Sequence, residues 1–394
     1  MEIDLSNLLV VAGVAVLAPV LADLSRRARL PTVVAEIFLG ILVGPELLGL
    51  AELDGILDAL STFGLAFLFF LAGIEIDFER IRGTPARAGA LGWLLSVVLG
   101  GIVALALHLS GVIHATVLVA LALTTTTLGT LMPILRDSGV LDQRFGRFVV
   151  GAGTAGEFGP IVLVSVILAF DADEPLRATL LFAFAAIVVV ATVIAVRARP
   201  ARVVRLLQTT MGTSGQLAVR LSLLLVIALA ALAAEFGLDV ILGAFAAGIL
   251  VGIVIRDSEA SEFLGKLDAV GYGFLIPVFF ITTGMGYDLD ALGEDPATLL
   301  MVPGFTLLFL VVRGLPAMLL YRKTLPRPDR IALALFSAAA LPLLVAITQI
   351  GLDTHTMRSE VAVSLIGAGM LSVLVYPLLA LLVHRRGERV EPPG

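Results

Sequence analysis

The feature of this chain that most constrains its fold is a succession of long apolar segments separated by short polar breaks. A run of about 20 apolar residues is long enough to cross the hydrocarbon core of a bilayer as a helix. Mean hydropathy is +1.06 and 15% of the residues are charged, values typical of a chain that lies mostly in lipid. The sequence therefore predicts an all-α polytopic membrane protein. We expect about thirteen spans, at residues 5–24, 31–50, 59–76, 87–109, 113–135, 144–170, 176–196, 216–235, 239–255, 267–287, 297–320, 328–350 and 358–384.

Glycine, proline and cysteine usage narrows the class further. The chain has 39 glycines and 18 prolines spread through its apolar runs, which predicts close helix packing and several interrupted helices. It has no cysteine, which excludes disulfides, cysteine zinc sites and thiol catalysis. The first apolar run has no basic segment before it and no small-residue cleavage site, so we expect a retained helix and not a signal peptide.

The distribution of basic residues predicts the orientation. If the N-terminus lies outside, most of the 26 lysine and arginine residues fall in inner loops, whereas the outer loops are rich in aspartate and glutamate. This alternation is the positive-inside pattern. We expect a multi-pass protein of the cell inner or plasma membrane, with its N-terminus outside and its C-terminus in the cytoplasm.

Two motifs recur in the same order in the two halves of the chain. Phe38-Leu-Gly40-Ile-Leu-Val-Gly44 returns as Phe245-Ala-Ala-Gly248-Ile-Leu-Val-Gly252, and Phe69-Phe70-Leu-Ala-Gly73 returns as Phe279-Phe280-Ile-Thr-Thr-Gly284. Each match relates one span to the span seven places later, an odd offset that reverses direction across the bilayer. Such inverted repeats are typical of secondary transporters. We predict one transporter domain over 1–394, with repeats at 1–172 and 216–384, a connector helix within 173–215 and a short cytoplasmic tail at 385–394.

Corresponding spans of the two halves carry helix-breaking residues. The fifth span contains four threonines, Thr124 to Thr127, followed by glycine, and the twelfth contains Ser337-Ala-Ala-Ala-Leu341-Pro342. Breaks at corresponding positions indicate a transporter site near the midplane; ordinary kinks are the structural alternative. We predict two crossing discontinuous helices, whose free carbonyls and threonine hydroxyls would suit a small hard cation.

Three of the charged side chains inside predicted spans are candidates for a functional role. Glu157 lies near the middle of the sixth, where a charge costs about 2.5 to 3.5 kcal/mol, which makes it a functional candidate; a hydrogen-bonded structural acid is the alternative. Arg313 lies in the eleventh, and we expect it to pair with a carboxylate or with the C-terminal end of a broken helix, snorkelling being the alternative. Glu36, about five residues into the second span, is a candidate pathway residue or a helix-terminus acid.

The order of these motifs resembles the sodium/hydrogen exchanger domain of the monovalent cation:proton antiporter superfamily, in particular its Kef-like second branch. The resemblance rests on Pro31-Thr-Val-Val-Ala-Glu36 through Pro45, the segment Phe67 to Asp77, the threonine run, Gly243-Ala-Phe245, Phe279-Phe280 and Tyr376-Pro377. It covers nearly the whole chain. The nucleotide-binding domain that follows many relatives has no counterpart here, so no regulatory domain is expected, and a separate regulatory subunit stays an open question.

The resemblance also implies site residues. The family's polar pair at the break falls on Thr126 and Thr127, its acidic pair falls on Gly156 and Glu157, and its basic residue falls on Arg313. Glu157 with Thr125, Thr126 and Thr127 would then bind Na⁺ or K⁺ in competition with a proton, and Gly156 and Pro342 join Glu36 as candidate pathway residues. Two departures stand out, because Gly156 has no side chain and Glu157 replaces the usual aspartate.

The implied function is a homodimeric antiporter that exchanges Na⁺, or alternatively K⁺, for H⁺ by alternating access. Because Glu157 is the only acid at the predicted site depth in the sixth span, we expect an electroneutral exchange of one proton for one cation. We expect no cofactor and no nucleic-acid partner, only the lipid bilayer and a second copy. A channel or uniporter would need a continuous polar pore, whereas the intramembrane polar groups cluster at one depth. A transport-inactive sensor is a further alternative because of Gly156. An intramembrane enzyme is disfavoured, since no Ser/His, Asp/Asp or His-Glu-x-x-His set stands at catalytic spacing.

Overall fold

The computed structural model describes residues 5–24, 31–75, 83–141, 143–170, 216–254, 260–293 and 296–390, together with scattered positions between 179 and 193. Across these ranges the secondary structure is helical and no strand occurs, which confirms the predicted all-α class. The helices are α1 (Ser6–Leu24), α2 (Thr32–Val43), α3 (Gly55–Ile74), α4 (Thr84–Leu109), α5 (Thr116–Leu123), α6 (Leu128–Asp137), α7 (Arg144–Phe170), α8 (Leu217–Glu235), α9 (Val240–Val254), α10 (Ala260–Val270), α11 (Ile276–Met285), α12 (Leu289–Gly293), α13 (Pro296–Leu320), α14 (Arg327–Ser337), α15 (Pro342–Asp353) and α16 (Ser359–Val390).

Within these ranges, nine stretches are long and apolar enough to cross a bilayer, and shorter apolar helices such as Thr32–Val43 and Val240–Ile253 add to them. A polytopic membrane protein is therefore confirmed, whereas the total of thirteen spans stays a prediction. The connector predicted at 173–215 lies outside the described residues except for isolated positions. Several loop arginines used to predict the orientation, such as Arg26, Arg80 and Arg256, also lie outside the described residues. The orientation and the repeat boundaries stay predictions.

Local chemistry explains where several helices depart from the predicted spans. The second span was predicted to run to residue 50, but α2 ends at Val43 because Gly44 and Pro45 follow, and proline has no N–H to continue the ladder. The third begins earlier than residue 59, because Asp54 caps α3. Its carboxylate accepts hydrogen bonds from the N–H groups of Ile56 and Leu57, each at 2.9 Å.

The chain forms two compact units. Unit 1 comprises residues 1–17, 36–77 and 162–285, and unit 2 comprises residues 18–35, 78–161 and 286–394. Each unit thus combines segments from both predicted repeats.

Unit 1 is held together by glycine contacts that repeat in pairs. Gly40 of α2 packs against the backbone of Ile281 and Gly284 in α11, and Gly248 of α9 packs against Phe70 and Gly73 in α3. A methyl group at either Gly40 or Gly248 would overlap a carbonyl oxygen of the partner helix, so only glycine permits this approach.

The two contacts are related by the sequence repeat. Gly40 corresponds to Gly248 and Gly284 corresponds to Gly73 in the matched motifs. Helix α2 therefore contacts α11 in the same way as its counterpart α9 contacts α3, the counterpart of α11. The relationship extends by one turn, since Gly44 packs on Met285 as Gly252 packs on Ile74. The recurring motifs are therefore a repeat in packing as well as in sequence.

Candidate ion-binding site

The first helix break, in unit 2, separates α5 from α6. The hydroxyls of Thr124 and Thr125 donate to the carbonyls of Leu121 and Ala122, at 2.7 and 2.8 Å. Such side-chain bonds compete with the helical ladder and favour its termination. The chain is extended at Thr127, and α6 then begins at Leu128.

The second break separates α14, which ends at Ser337, from α15. Pro342 occupies the first helical position of α15, where its missing N–H removes no hydrogen bond. The residues between the helices, Ala338 to Leu341, are all buried. Both predicted interruptions are therefore present.

The two breaks cross and bond to each other. The N–H of Thr127 donates to the carbonyl of Ala339 at 2.8 Å, and the Thr127 hydroxyl accepts from the N–H of Leu341 at 2.7 Å. The Thr126 hydroxyl donates to the carbonyl of Ser337 at 2.6 Å. We call residues 124–127 and 338–341 the crossing. These bonds satisfy backbone groups that the broken helices leave open, which an apolar interior requires.

Arg313 of α13 lies at the crossing and is only 3% exposed. Its guanidinium donates to four oxygen atoms, namely Thr126 Oγ1 (2.9 Å), the Ser337 carbonyl (3.3 Å), Ser96 Oγ (3.2 Å) and the Ala152 carbonyl (3.1 Å). All four acceptors are neutral. Ser337 is the last residue of α14, and the partial negative charge of a helix C-terminus favours a cation there. Of the two partners expected for Arg313, the helix end is the one observed.

The third element of the site is α7, which passes the crossing at Gly156. The N–H of Thr126 donates to the Gly156 carbonyl at 3.0 Å. Gly156 and Ala152 stand one turn apart on the face of α7 that meets Arg313. Glu157 follows directly and is half-buried. Because successive helical residues are rotated by about 100°, Glu157 lies beside the Arg313 contacts and not on the same face.

The structure thus brings most of the predicted residues together. Thr126, Thr127, Gly156, Arg313 and Pro342 meet at the crossing, and Glu157 adjoins it. The hydroxyl of Thr125 bonds within its own segment, and Glu36 belongs to unit 1.

Two serines in this site were not anticipated. Ser96 of α4 accepts from Arg313, and Ser372 of α16 accepts from the N–H of Ala340 at 3.1 Å. Both are fully buried hydroxyls in long apolar helices. The sequence signal for each was a lone serine within a long apolar helix, because a buried hydroxyl in such a helix needs a hydrogen-bond partner.

The family described as "Sodium/hydrogen exchanger, transmembrane" matches residues 12–381. The chain belongs to this family.

Curated relatives of the sodium/hydrogen exchanger chain are named as antiporters. It is 30% identical to the putative Na⁺/H⁺ antiporter YjbQ of Bacillus subtilis over 98% of its own length and 64% of that protein. It is 24% identical to the Na⁺/H⁺ antiporter of Enterococcus hirae, over 91% of this chain and 93% of the other. The exchanger chain thus spans less than two thirds of the Bacillus protein but nearly all of the Enterococcus one.

Solved structures share the fold of this exchanger family member. The electron-microscopy structure of the sodium proton antiporter MjNhaP1 from Methanocaldococcus jannaschii matches with a TM-score of 0.69 at 18% identity, over the full length of both chains. A structure of the same antiporter at pH 8 matches with a TM-score of 0.65 at 16% identity, over 95% of each chain. At these identities the likeness concerns the fold alone.

Proposed function

We propose that this protein exchanges Na⁺ for H⁺ across a cell inner or plasma membrane by alternating access, in which the site opens to one side at a time. The observation that carries the proposal is the crossing, where two broken helices, a buried arginine and an acid-bearing helix meet. Relatives of this protein are named Na⁺/H⁺ antiporters, which supports the same function.

Glu157 is the proposed carrier. A carboxylate binds either a proton or a monovalent cation, and each neutralises the charge that attracts the other, so the two ions compete. The empty, charged site should cross the barrier slowly because a bare carboxylate is costly in a low-dielectric medium. This penalty couples the two fluxes.

We include Thr126 and Thr127 as oxygen ligands. A hydroxyl offers one donor and two lone pairs, and the hydrogen bonds of the crossing use one lone pair of each hydroxyl. One lone pair of each therefore stays available for a partly dehydrated cation.

We propose an electroneutral cycle of one cation for one proton. Arg313 contributes a fixed positive charge, and Gly156 supplies no second acid beside Glu157. A single carboxylate can carry only one unit charge in either direction. We propose K⁺ as the alternative cation. We also propose that the protein forms a homodimer and that the N-terminus of each chain lies outside the cell.

The test uses the full chain in proteoliposomes, with internal pH followed while Na⁺, K⁺ and Li⁺ are added in turn. Na⁺ should drive proton movement, and Glu157→Gln should abolish it in a protein that still folds, since glutamine keeps the shape but cannot exchange a proton. Glu157→Asp should keep exchange with an altered cation affinity. Normal exchange in Glu157→Gln would remove Glu157 from the mechanism.

Stoichiometry needs a separate measurement. Moving one net charge couples turnover to voltage at about 2.3 kcal/mol per 100 mV. The initial exchange rate should be equal at zero and at an imposed potential. A rate that follows voltage would contradict one-for-one exchange, and a current without any proton movement would favour a channel.

A further inference from the structure

Glu36 is a buried acid outside the crossing. It is the fifth residue of α2 and is 4% exposed. Among the residues that the structure describes, its carboxyl group has no hydrogen-bond or ion-pair partner. Neither α2 nor α11, which packs against it, carries another titratable side chain. No opposite charge on these two helices therefore compensates an ionised Glu36.

The internal repeat shows that the packing does not require an acid here. In the register set by the glycine pairs Gly40/Gly248 and Gly44/Gly252, Glu36 corresponds to Ala244 of α9, which is 0% exposed. The next residues are packed alike, since the Ile37 carbonyl lies against Gly284 as the Phe245 carbonyl lies against Gly73. The same helix contact is thus made once with alanine and once with glutamate.

Burial decides the charge state of this side chain. An ionised carboxylate that is removed from water without a partner is strongly destabilised, and such a group takes up a proton instead. A protonated carboxyl is neutral, and its desolvation is far less costly. We propose that Glu36 is a second proton-binding site, separate from the transport carboxylate Glu157, which holds its proton in this conformation and releases it to water when the site becomes hydrated during the cycle.

The step is a simple proton transfer. The carboxyl O–H bond breaks, its electron pair stays on the carboxylate, and the proton passes to a water molecule. On reburial the carboxylate takes a proton back from water. In this proposal Glu36 releases its proton to the side from which it takes one up, which leaves the exchange stoichiometry at Glu157 unchanged and gives the exchange rate a second dependence on pH.

The first experiment observes the proton directly. Infrared spectra of the full-length protein in lipid at neutral pH should contain the carbonyl stretch of a protonated carboxyl group. The contribution of Glu36 to this band should be lost in Glu36→Gln and kept in Glu157→Gln and in Glu46→Gln, a matched change at an exposed carboxylate of the same segment. An unchanged band in Glu36→Gln would overturn the proposal. If that variant does not fold, Glu36→Ala replaces it, because alanine is the residue found at the equivalent position 244.

The second experiment concerns release and rests on the proposed function. Glu36→Gln should retain Na⁺-driven proton movement but lose one of the pH-dependent steps in the rate profile, whereas Glu46→Gln should match the unmodified protein. A Glu36→Gln profile that superimposes on the unmodified one would contradict release. Complete loss of exchange in the folded variant would contradict a site separate from transport. The infrared result does not depend on exchange, so the two proposals can fail independently.

Discussion

The guanidinium of Arg313 occupies the space beside the Cα atom of Gly156 in which a larger side chain would have to lie. The Thr126 side chain closes the same space from the crossing, with its Cβ atom 2.8 Å from the position of an added methyl carbon. In the sequence, Gly156 looks like the loss of a polar residue. In the structure, its missing side chain leaves the space that the Arg313 guanidinium occupies.

Gly156→Ala should therefore destabilise the protein by about 1–3 kcal/mol, because an extra methyl group in a filled interior forces neighbours to shift. The matched control is Gly101→Ala in α4, where an added methyl group meets nothing within 4 Å. That change should stabilise the helix by about 0.5–1 kcal/mol, since alanine is the better helix former. Thermal unfolding in detergent measures both, and an equal rise in melting temperature would show that the space at Gly156 is free.

Thr127→Val removes the hydroxyl that accepts from the N–H of Leu341 and leaves that buried donor without a partner. We expect a loss of about 1–3 kcal/mol in the free energy of unfolding. Thr125→Val is the control, because its equally buried hydroxyl bonds only within its own segment. Apparent Na⁺ affinity measured in the same proteins adds the ligand test, since a threonine that only joins the helices would change stability and leave affinity untouched.

Arg313→Lys keeps the charge but cannot reproduce the planar set of four hydrogen bonds. The four bonds leave from three nitrogens, with the single Nε–H shared between Thr126 and Ser337. Lysine has one nitrogen, which cannot reach all of these acceptors, so at least one bond is lost, at about 1.5–3 kcal/mol for a bond to a charged group. Arg220→Lys, at an exposed position of α8, should leave the melting temperature nearly unchanged. Similar melting temperatures for the two variants would argue against a structural role of the guanidinium geometry.

His384 links three segments of unit 2. Its ring lies 2.8 Å from Asp329 Oδ1 and 3.2 Å from Gln143 Oε1, and it stacks on Phe145 with ring centroids 4.4 Å apart. Asp329 is in the first turn of α14 and Phe145 is in the first turn of α7, the helices that carry Ser337 and Glu157. The cluster therefore fixes the ends of two helices that meet at the crossing.

His384→Phe should keep the stacking but lose the polar contacts, with a lower melting temperature. A double-mutant cycle with Asp329→Asn should give a coupling free energy of about 0.5–3 kcal/mol, as found for residues in direct contact. Strictly additive effects of the two changes would mean that the histidine and the aspartate do not interact in solution.

The class of protein follows from local sequence alone, because about 20 apolar residues in succession have few stable arrangements other than a membrane helix. The local sequence also located both breaks, since proline without an N–H and threonines that bond their own backbone act within a few residues of the helix they end. The bounds of α7, Arg144–Phe170, agree with the predicted span for the same reason.

The contacts between these elements could not be predicted without the three-dimensional fold. The four acceptors of Arg313 come from four separate stretches of the chain, including Ser96, which is 217 residues away. The role of Gly156 depends on an arginine that no local pattern connects to it. Hydrophobic length and backbone chemistry are properties of neighbouring residues and can be read along a chain, whereas the choice among many buried oxygen atoms depends on which helices pack together in space.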